Sequence, residues 1–349
     1  MNKHIFYIAA ACAALASCVK NEVRVNAPDK EITFQTVSTK AGAAFNKGNH
    51  FISYAYFLEK DKDWDTADLL TDAKAYIAGA NIYYHTASPK GYWAAADTYY
   101  WPKQGSLTFF AWTDDTATPS VGTGATVTCA HNTGIKIENY SVKDNPNKDI
   151  LVAEIAKNKT QNERVTEPGR DWANGVPTVF RHALASVEFN VNKRTNYPKV
   201  EFRVREITLN NVSTKGTFTQ GSPAENWGWS AQSEPDKLSV FTGDEEVNTT
   251  ATKLNPNSTP GATDYFIVLP QNFDATSTLT IKYEIITSYI DGNPVKETVT
   301  ETRALNTIYP DNWKIGKKYV LGITLGLDQI YWNPSIVDWD TSNVPGIEI

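Results

Sequence analysis

Asp61, Asp63, Asp65 and Asp72 have the spacing in this chain that comes nearest to a metal loop, three alternating and the fourth eleven positions after the first. A calcium loop of the EF-hand type needs Gly at its sixth position for the sharp turn and a bidentate Glu at its twelfth. Thr66 and Asp72 stand there instead, so the run reads as a solvated acidic loop. Asp114 with Asp115, Glu245 with Glu246, and Asp338 with Asp340 are the carboxylate pairs a glycosidase could use. Such an enzyme needs two carboxyl groups facing each other across a cleft; adjacent strand residues point to opposite faces, and these pairs sit in turn-like contexts. His50, His85, His131 and His182 are scattered without ligand spacing or Cys partners, and His182, between Phe180 and Leu184, reads as a hydrogen-bonded structural residue. There is no Gly-x-Ser-x-Gly elbow, and Gly122-Thr123-Gly124 lacks the third Gly of a nucleotide loop. No catalytic residue, metal or cofactor is expected.

One cysteine carries chemistry of another kind. A cationic tip, Met1-Asn2-Lys3-His4, precedes an apolar run over residues 5–15 and then Ala16-Ser17-Cys18. That is the pattern of a secretory signal peptide over residues 1–17, and its apolar run falls short of the roughly 20 residues a spanning helix needs. Leu15-Ala16-Ser17-Cys18 resembles the bacterial lipobox, which implies that Cys18 is acylated and becomes the mature amino terminus, with outer-membrane lipid as its partner. Buried acyl chains contribute about 0.8 kcal/mol per CH₂, enough for a multiply acylated Cys18 to hold the chain on a membrane. Cys12 leaves with the signal and Cys129 stands alone, so the mature chain has no intramolecular disulfide and rests on its core. A formal net charge of -6 with no basic block argues against nucleic acid as a partner.

The elements that must position these residues are strands. Tyr 17, Phe 14 and Trp 10 against one Met favour β structure, and apolar and polar residues alternate over 200–209 and 279–285, as half-buried antiparallel strands require. Turn residues punctuate the runs at Asp291-Gly292-Asn293-Pro294, Ser88-Pro89-Lys90-Gly91, Lys215-Gly216 and Thr259-Pro260-Gly261. A helix over 65–78 is expected to be short or absent, and Cys129 reads as a buried strand residue. Polar stretches cover 157–175, read as a domain boundary, and 221–260, read as a long loop. The fold expected is all-β, in two β-sandwich domains over 18–175 and 176–349.

At this point the chain resembles the fimbrillin family, lipoprotein-derived subunits of type V pili. The segments that carry the resemblance, in order, are Glu31-Ile32-Thr33-Phe34 followed by Ser38-Thr39-Lys40-Ala41; Tyr99-Tyr100-Trp101-Pro102 followed by a strand ending in Phe109-Phe110-Ala111-Trp112; and Asp149-Ile150-Leu151-Val152-Ala153. Phe180-Arg181-His182-Ala183-Leu184-Ala185-Ser186-Val187, Leu269-Pro270-Gln271, residues 313–319 and Val337-Asp338-Trp339 complete the series. The resemblance implies two tandem transthyretin-like sandwiches, no enzymatic activity, a place on the outer membrane or in a surface fimbria, and other fimbrial subunits as partners, with host or bacterial surface ligands open.

The resemblance further implies that a trypsin-like protease removes an amino-terminal segment and that a neighbour's carboxy-terminal strand replaces it. The strand around Ile32 and Phe34 would be the removable one, with those two side chains inward and Thr33 and Gln35 outward. The family cuts after Arg where this chain has Lys40, leaving three alternatives: cleavage at Lys40, cleavage elsewhere such as after Arg24, or an uncut, lipidated anchor. The segment 330–349, with Ile336, Trp339, Ile347 and Ile349 as apolar anchors, is either the donor strand or the last strand of its own domain. A second reading, a surface glycan-binding lipoprotein, rests on Trp64, Trp93, Trp227 and Trp229 in polar surroundings, where aromatic faces could stack on sugars.

Overall fold

A computed structural model describes residues 31–37, 45–86, 91–163, 175–222, 226–254 and 265–339. Two single-turn helices, α1 (Leu69–Asp72) and α2 (Leu305–Ile308), are the only helices among them; everything else of regular structure is strand. Inside the expected 65–78 helix, Asp68 caps α1 and Lys74 already begins a strand, because Ala75-Tyr76-Ile77 pairs better on a sheet than on a short isolated helix.

The first sheet contains β1 (Phe34–Val37), β2 (Phe51–Leu58), β3 (Lys74–His85), β4 (Tyr92–Ala95), β5 (Ser106–Thr113), β8 (Leu151–Ala153), β9 (Ala156–Lys159) and β10 (Val176–His182). Because β2 also pairs with β5, the order β2-β3-β4-β1-β10-β8-β5 returns on itself and the sheet closes. Its interior holds Ile32, Phe34, Phe51, Ile77, Trp93, Leu107, Phe109 and Phe180, locked by edge-to-face rings such as Phe34 on Phe51 at 5.5 Å and on Phe109 at 5.8 Å. All eight residues of β5 are buried, since Phe110 and Trp112 on its other face pack into a second core. A strand covered on both faces reads as a continuous apolar run.

The second sheet holds β6 (Thr126–Ala130), β7 (Gly134–Ser141), β12 (Val200–Thr219), β13 (Gly228–Glu246), β16 (Thr278–Thr287) and β17 (Val295–Ala304). The third holds β11 (Ala185–Lys193), β14 (Thr252–Lys253), β15 (Phe266–Val268), β18 (Lys317–Leu325) and β19 (Ile330–Asp338). β12 pairs with β16 through residues 200–210 and with β7 through 215–219, so one strand serves two cores. The first of these cores, built on Phe189, Phe202, Ile207, Leu279 and Leu321, lies between the second and third sheets. The other joins Phe110, Trp112, Ile137 and Tyr140 to Leu184, Phe218, Leu269 and Trp339.

Two turn and loop expectations are corrected. Lys215-Gly216 is not a reversal but a bulge inside β12, where the register slips against both β13 and β7; glycine within a strand often marks such a slip. The stretch 221–260 is not one long loop: it contains β13, whose polar residues face solvent while its backbone pairs with β12 from Arg203 to Thr219. Val176–His182 pairs with β1 and β8 of the first sheet, and the chain changes sheet at Ala183 and Leu184, both fully buried. Cys129 lies on β6 half-buried, its thiol pushed far above the ordinary range by burial.

Candidate functional site

β1 is a short strand held on every side. It runs parallel to β10, Phe34 to Val37 opposite Val176 to Val179, and meets β4 only where Phe34 faces Trp93. The Ile32 N–H donates to Tyr99 O at 2.8 Å and the Val176 N–H to Thr33 O at 2.7 Å. Ile32 and Phe34 point into the closed sheet, 4% and 2% exposed. Thr33 and Gln35 alternate to the other face but are buried too, because the segment 162–163 and Gly175 cover them. Gln35 Nε2 donates to Glu163 O at 2.8 Å and to Gly175 O at 3.2 Å; Asn162 Oδ1 accepts from the Thr33 N–H at 3.2 Å and from Trp101 Nε1 at 3.0 Å, and its Nδ2 donates to Glu31 O at 2.7 Å. Gly175 lies so close that a Cβ there would sit 2.6 Å from the Phe34 carbonyl carbon. This polar clamp was not legible as such; the one signal for it was Gly175 immediately ahead of a strand.

β19 is held differently. Its backbone pairs with β18 over its whole length, from Lys317 opposite Asp338 to Leu325 opposite Ile330, and among the described residues it has no second partner strand. No side chain of β19 is buried, and Ile336 and Val337 are 45% and 37% exposed. Pro334 sits on this edge, where a missing N–H costs nothing. Trp339, one residue beyond, is buried: its ring stacks on His182 at 4.0 Å and 4°, Tyr265 meets it edge-on at 5.5 Å, and its N–H donates to Gly316 O at 3.0 Å. His182 Nδ1 lies 2.5 Å from Asp149 Oδ2. Burial, with the negative charge of Asp149 behind it, pushes the Tyr265 hydroxyl up to about 12. His182 is thus hydrogen-bonded as read, and its stacking partner is the residue that follows the last strand.

The remaining sequence candidates are dispersed. Trp64 and Trp93 are fully buried, Trp229 donates Nε1 to Ala183 O at 2.6 Å, and Trp227 packs edge-on against Phe218 at 5.7 Å. Trp64 and Trp93 thus offer no open face to a sugar, while Trp227 and Trp229 are half-buried against Phe218 and line one cleft. In the acidic run, Asp61 stands at a positive φ in a turn, Asp63 Oδ1 accepts the Asp65 N–H, Asp65 pairs with Lys157 at 2.8 Å, and Asp72 pairs with Lys62. Asp114, almost wholly buried, pairs with Lys148 at 2.9 Å, while burial raises the neighbouring Asp115 carboxyl. Cys18, Lys40, Ile347 and Ile349 lie outside the described residues, as does Arg24. No helix among the described residues is long and apolar enough to cross a membrane.

Comparison with known proteins accounts for this pattern of strands. A fimbrial protein from Bacteroides vulgatus has the same fold: 16% identity, 89% of this chain and 100% of that chain covered, TM-score 0.60. Looser likenesses include a candidate cell adhesion protein from Bacteroides uniformis, 14% identical over 89% of this chain and 98% of the other with TM-score 0.49. Another is the fimbrial anchor protein Mfa2 from Porphyromonas gingivalis, 12% identical over 89% and 98% with TM-score 0.33. No curated protein sequence matches the chain. The fimbrillin-like family model matches residues 31–339, from the bridge of Glu31 to Tyr100 to the buried Trp339, and the chain therefore belongs to the fimbrillin-like family, whose members are fimbrial and adhesion proteins and not enzymes.

Proposed function

We propose that this chain is a lipidated subunit of a surface fimbria in which β1 is exchanged for a neighbour's carboxy-terminal strand. The observation that carries the reading is the place of β1 in the closed sheet. It is one short member between β10 and β4, and its loss leaves two unpaired edges and the vacated sites of Ile32 and Phe34. An extended strand with alternating apolar side chains fits such a slot, since backbone bonds supply affinity and side-chain pockets supply register. In the residues after β19, Ile347 and Ile349 have that alternation across Glu348, and Ile336 and Trp339 flank Asp338 as further apolar anchors. The exposed side chains of β19 from Asn333 to Asp338 and its single paired edge are what a strand needs to leave one sheet for another. Export would proceed through residues 1–17 and anchoring through Cys18. The chain would divide into two units where it changes sheet, beside the expected boundary near residue 175.

Limited trypsin treatment of the folded chain tests the first step, with Lys40 cut early and the rest resistant. Resistance at Lys40 argues for an uncut anchor. Deleting 344–349 tests the second: unchanged thermal stability with lost polymer formation supports a donor, and lost monomer stability overturns it. Fatty-acid labelling that persists in Cys18→Ala would overturn the lipid assignment.

A further inference from the structure

Trp339 ties the end of β19 to the strand that carries β1. β10 pairs with β1 through residues 176–179, turns Phe180 into the closed sheet, and ends on His182, against which Trp339 stacks. Phe180 lies 5.5 Å from Phe51, which lies 5.5 Å from Phe34 of β1. β10 is thus supported by β1 twice, through the parallel ladder and through the ring contacts Phe34–Phe51–Phe180. Without β1, the ladder left to β10 is its short antiparallel pairing of residues 180–182 with β8. Among residues 330–339, Trp339 is the one buried side chain; Ile330 and Trp332 pack half-buried on the core at the start of the strand, so the contact with His182 is the apolar hold on its carboxy-terminal end beyond the backbone ladder.

We propose that His182 and Trp339 form a latch that keeps the carboxy-terminal strand on its own subunit while β1 is in place, and that loss of β1 loosens it. The groove would then open before the donor is released, and subunits that still carry β1 would retain their donors. This rests on the assembly reading above, adding an order of events and the residues that impose it. The groups around the latch are Asp149 and Asp115 on the first sheet's side, Lys317 with Asp338 at the end of β19, and Tyr265 edge-on.

Amide hydrogen exchange across residues 330–339 tests the latch in the full chain, with a specific protease site placed in residues 38–44 and protein diluted until light scattering reports monomer. In the uncut chain, His182→Ala should raise exchange over 330–339 by about ten-fold, as the loss of one buried stacking contact would. Trp339→Ala should do the same without touching β10, and serves if His182→Ala fails to fold. Cutting and removing β1 should raise exchange in the parent by a similar factor, change His182→Ala less than about two-fold further, and be reversed by a peptide of residues 31–40. Unchanged exchange after removal of β1, or effects that multiply in full, would overturn the latch. Polymer formation, followed separately at higher concentration, tests the assembly reading: coupling without polymers leaves the latch standing, and polymers without coupling remove it.

Discussion

The strands nearest the two ends of the described chain are secured by opposite means. β1 makes few backbone pairs but has buried side chains on both faces, whereas β19 has a full ladder to β18, Ile330 and Trp332 half-buried at its start, and exposed side chains from there up to the buried Trp339. Side-chain burial fixes register and resists slippage, because a one-residue shift would drive Ile32 and Phe34 out of the core. A ladder with exposed side chains is indifferent to such a shift and can be traded for another ladder at little net cost. On the proposed assembly, β1 would need a covalent cut to be displaced, while β19 would need a competitor once Trp339 is released.

The sharpest break in this contrast is Phe34→Ala, which should cost about 3–5 kcal/mol in denaturant unfolding of the first sheet, as removal of a buried ring does. A value under about 1 kcal/mol would mean that β1 is not anchored by its side chains. Gly175→Ala loosens β1 without altering any of its residues, since the added Cβ meets the Phe34 backbone. A cost of about 1–3 kcal/mol, together with faster tryptic cutting at Lys40, is the expected outcome.

At the other end, β19 depends on β18, and β18 is tied to β11 where Lys318 Nζ meets the buried Glu188 carboxylate at 2.5 Å. Burial pushes the Glu188 carboxyl up, but the hydrogen bond and charge of Lys318, with Lys253 at 3.2 Å, outweigh it and leave the group below its usual 4.5. A depressed carboxyl stabilises the fold above the unfolded pKa and loses that contribution as pH falls through the folded one. Glu188→Gln should therefore cost about 1–3 kcal/mol near neutral pH, and the gap from the parent should close as pH drops below 4.5. The smallest effect belongs to Ile336→Ala, within about 0.5 kcal/mol of the parent as a monomer. A larger loss would place β19 in its own core and weaken the contrast.

Much of the fold was legible because strand chemistry is local. The alternation over 200–209 and 279–285 became paired strands in the second sheet, with Phe202, Val204, Ile207, Leu209, Leu279, Ile281 and Tyr283 inward. Ile32 and Phe34 pointed inward for the same reason. What stayed hidden was long-range pairing. Apart from Leu238, Val240 and Phe241, Gly228–Glu246 is mostly polar and looked like loop; it is strand because β12 offers it a ladder, which composition does not record. The covering of Thr33 and Gln35 by a segment about 130 positions away was equally out of reach. His182 was legible as a bonded histidine, but its partner ring belongs to Trp339, far along the chain and joined to it only by the folded sheets.

One strand has a mechanical consequence. β12 is paired at one end with β16 of the far core and at the other with β7 beside the closed sheet. At about 3.3 Å per residue its twenty residues reach roughly 65 Å, less whatever its bulges take up. In a fibre whose subunits grip one another near the amino-terminal sheet and pull through the carboxy-terminal strand, tension would pass along this beam. Ladders loaded along their length must break many bonds together, whereas ladders pulled from a single end unzip bond by bond. A subunit spanned by such a beam would stretch little before its strand contacts with neighbours give way.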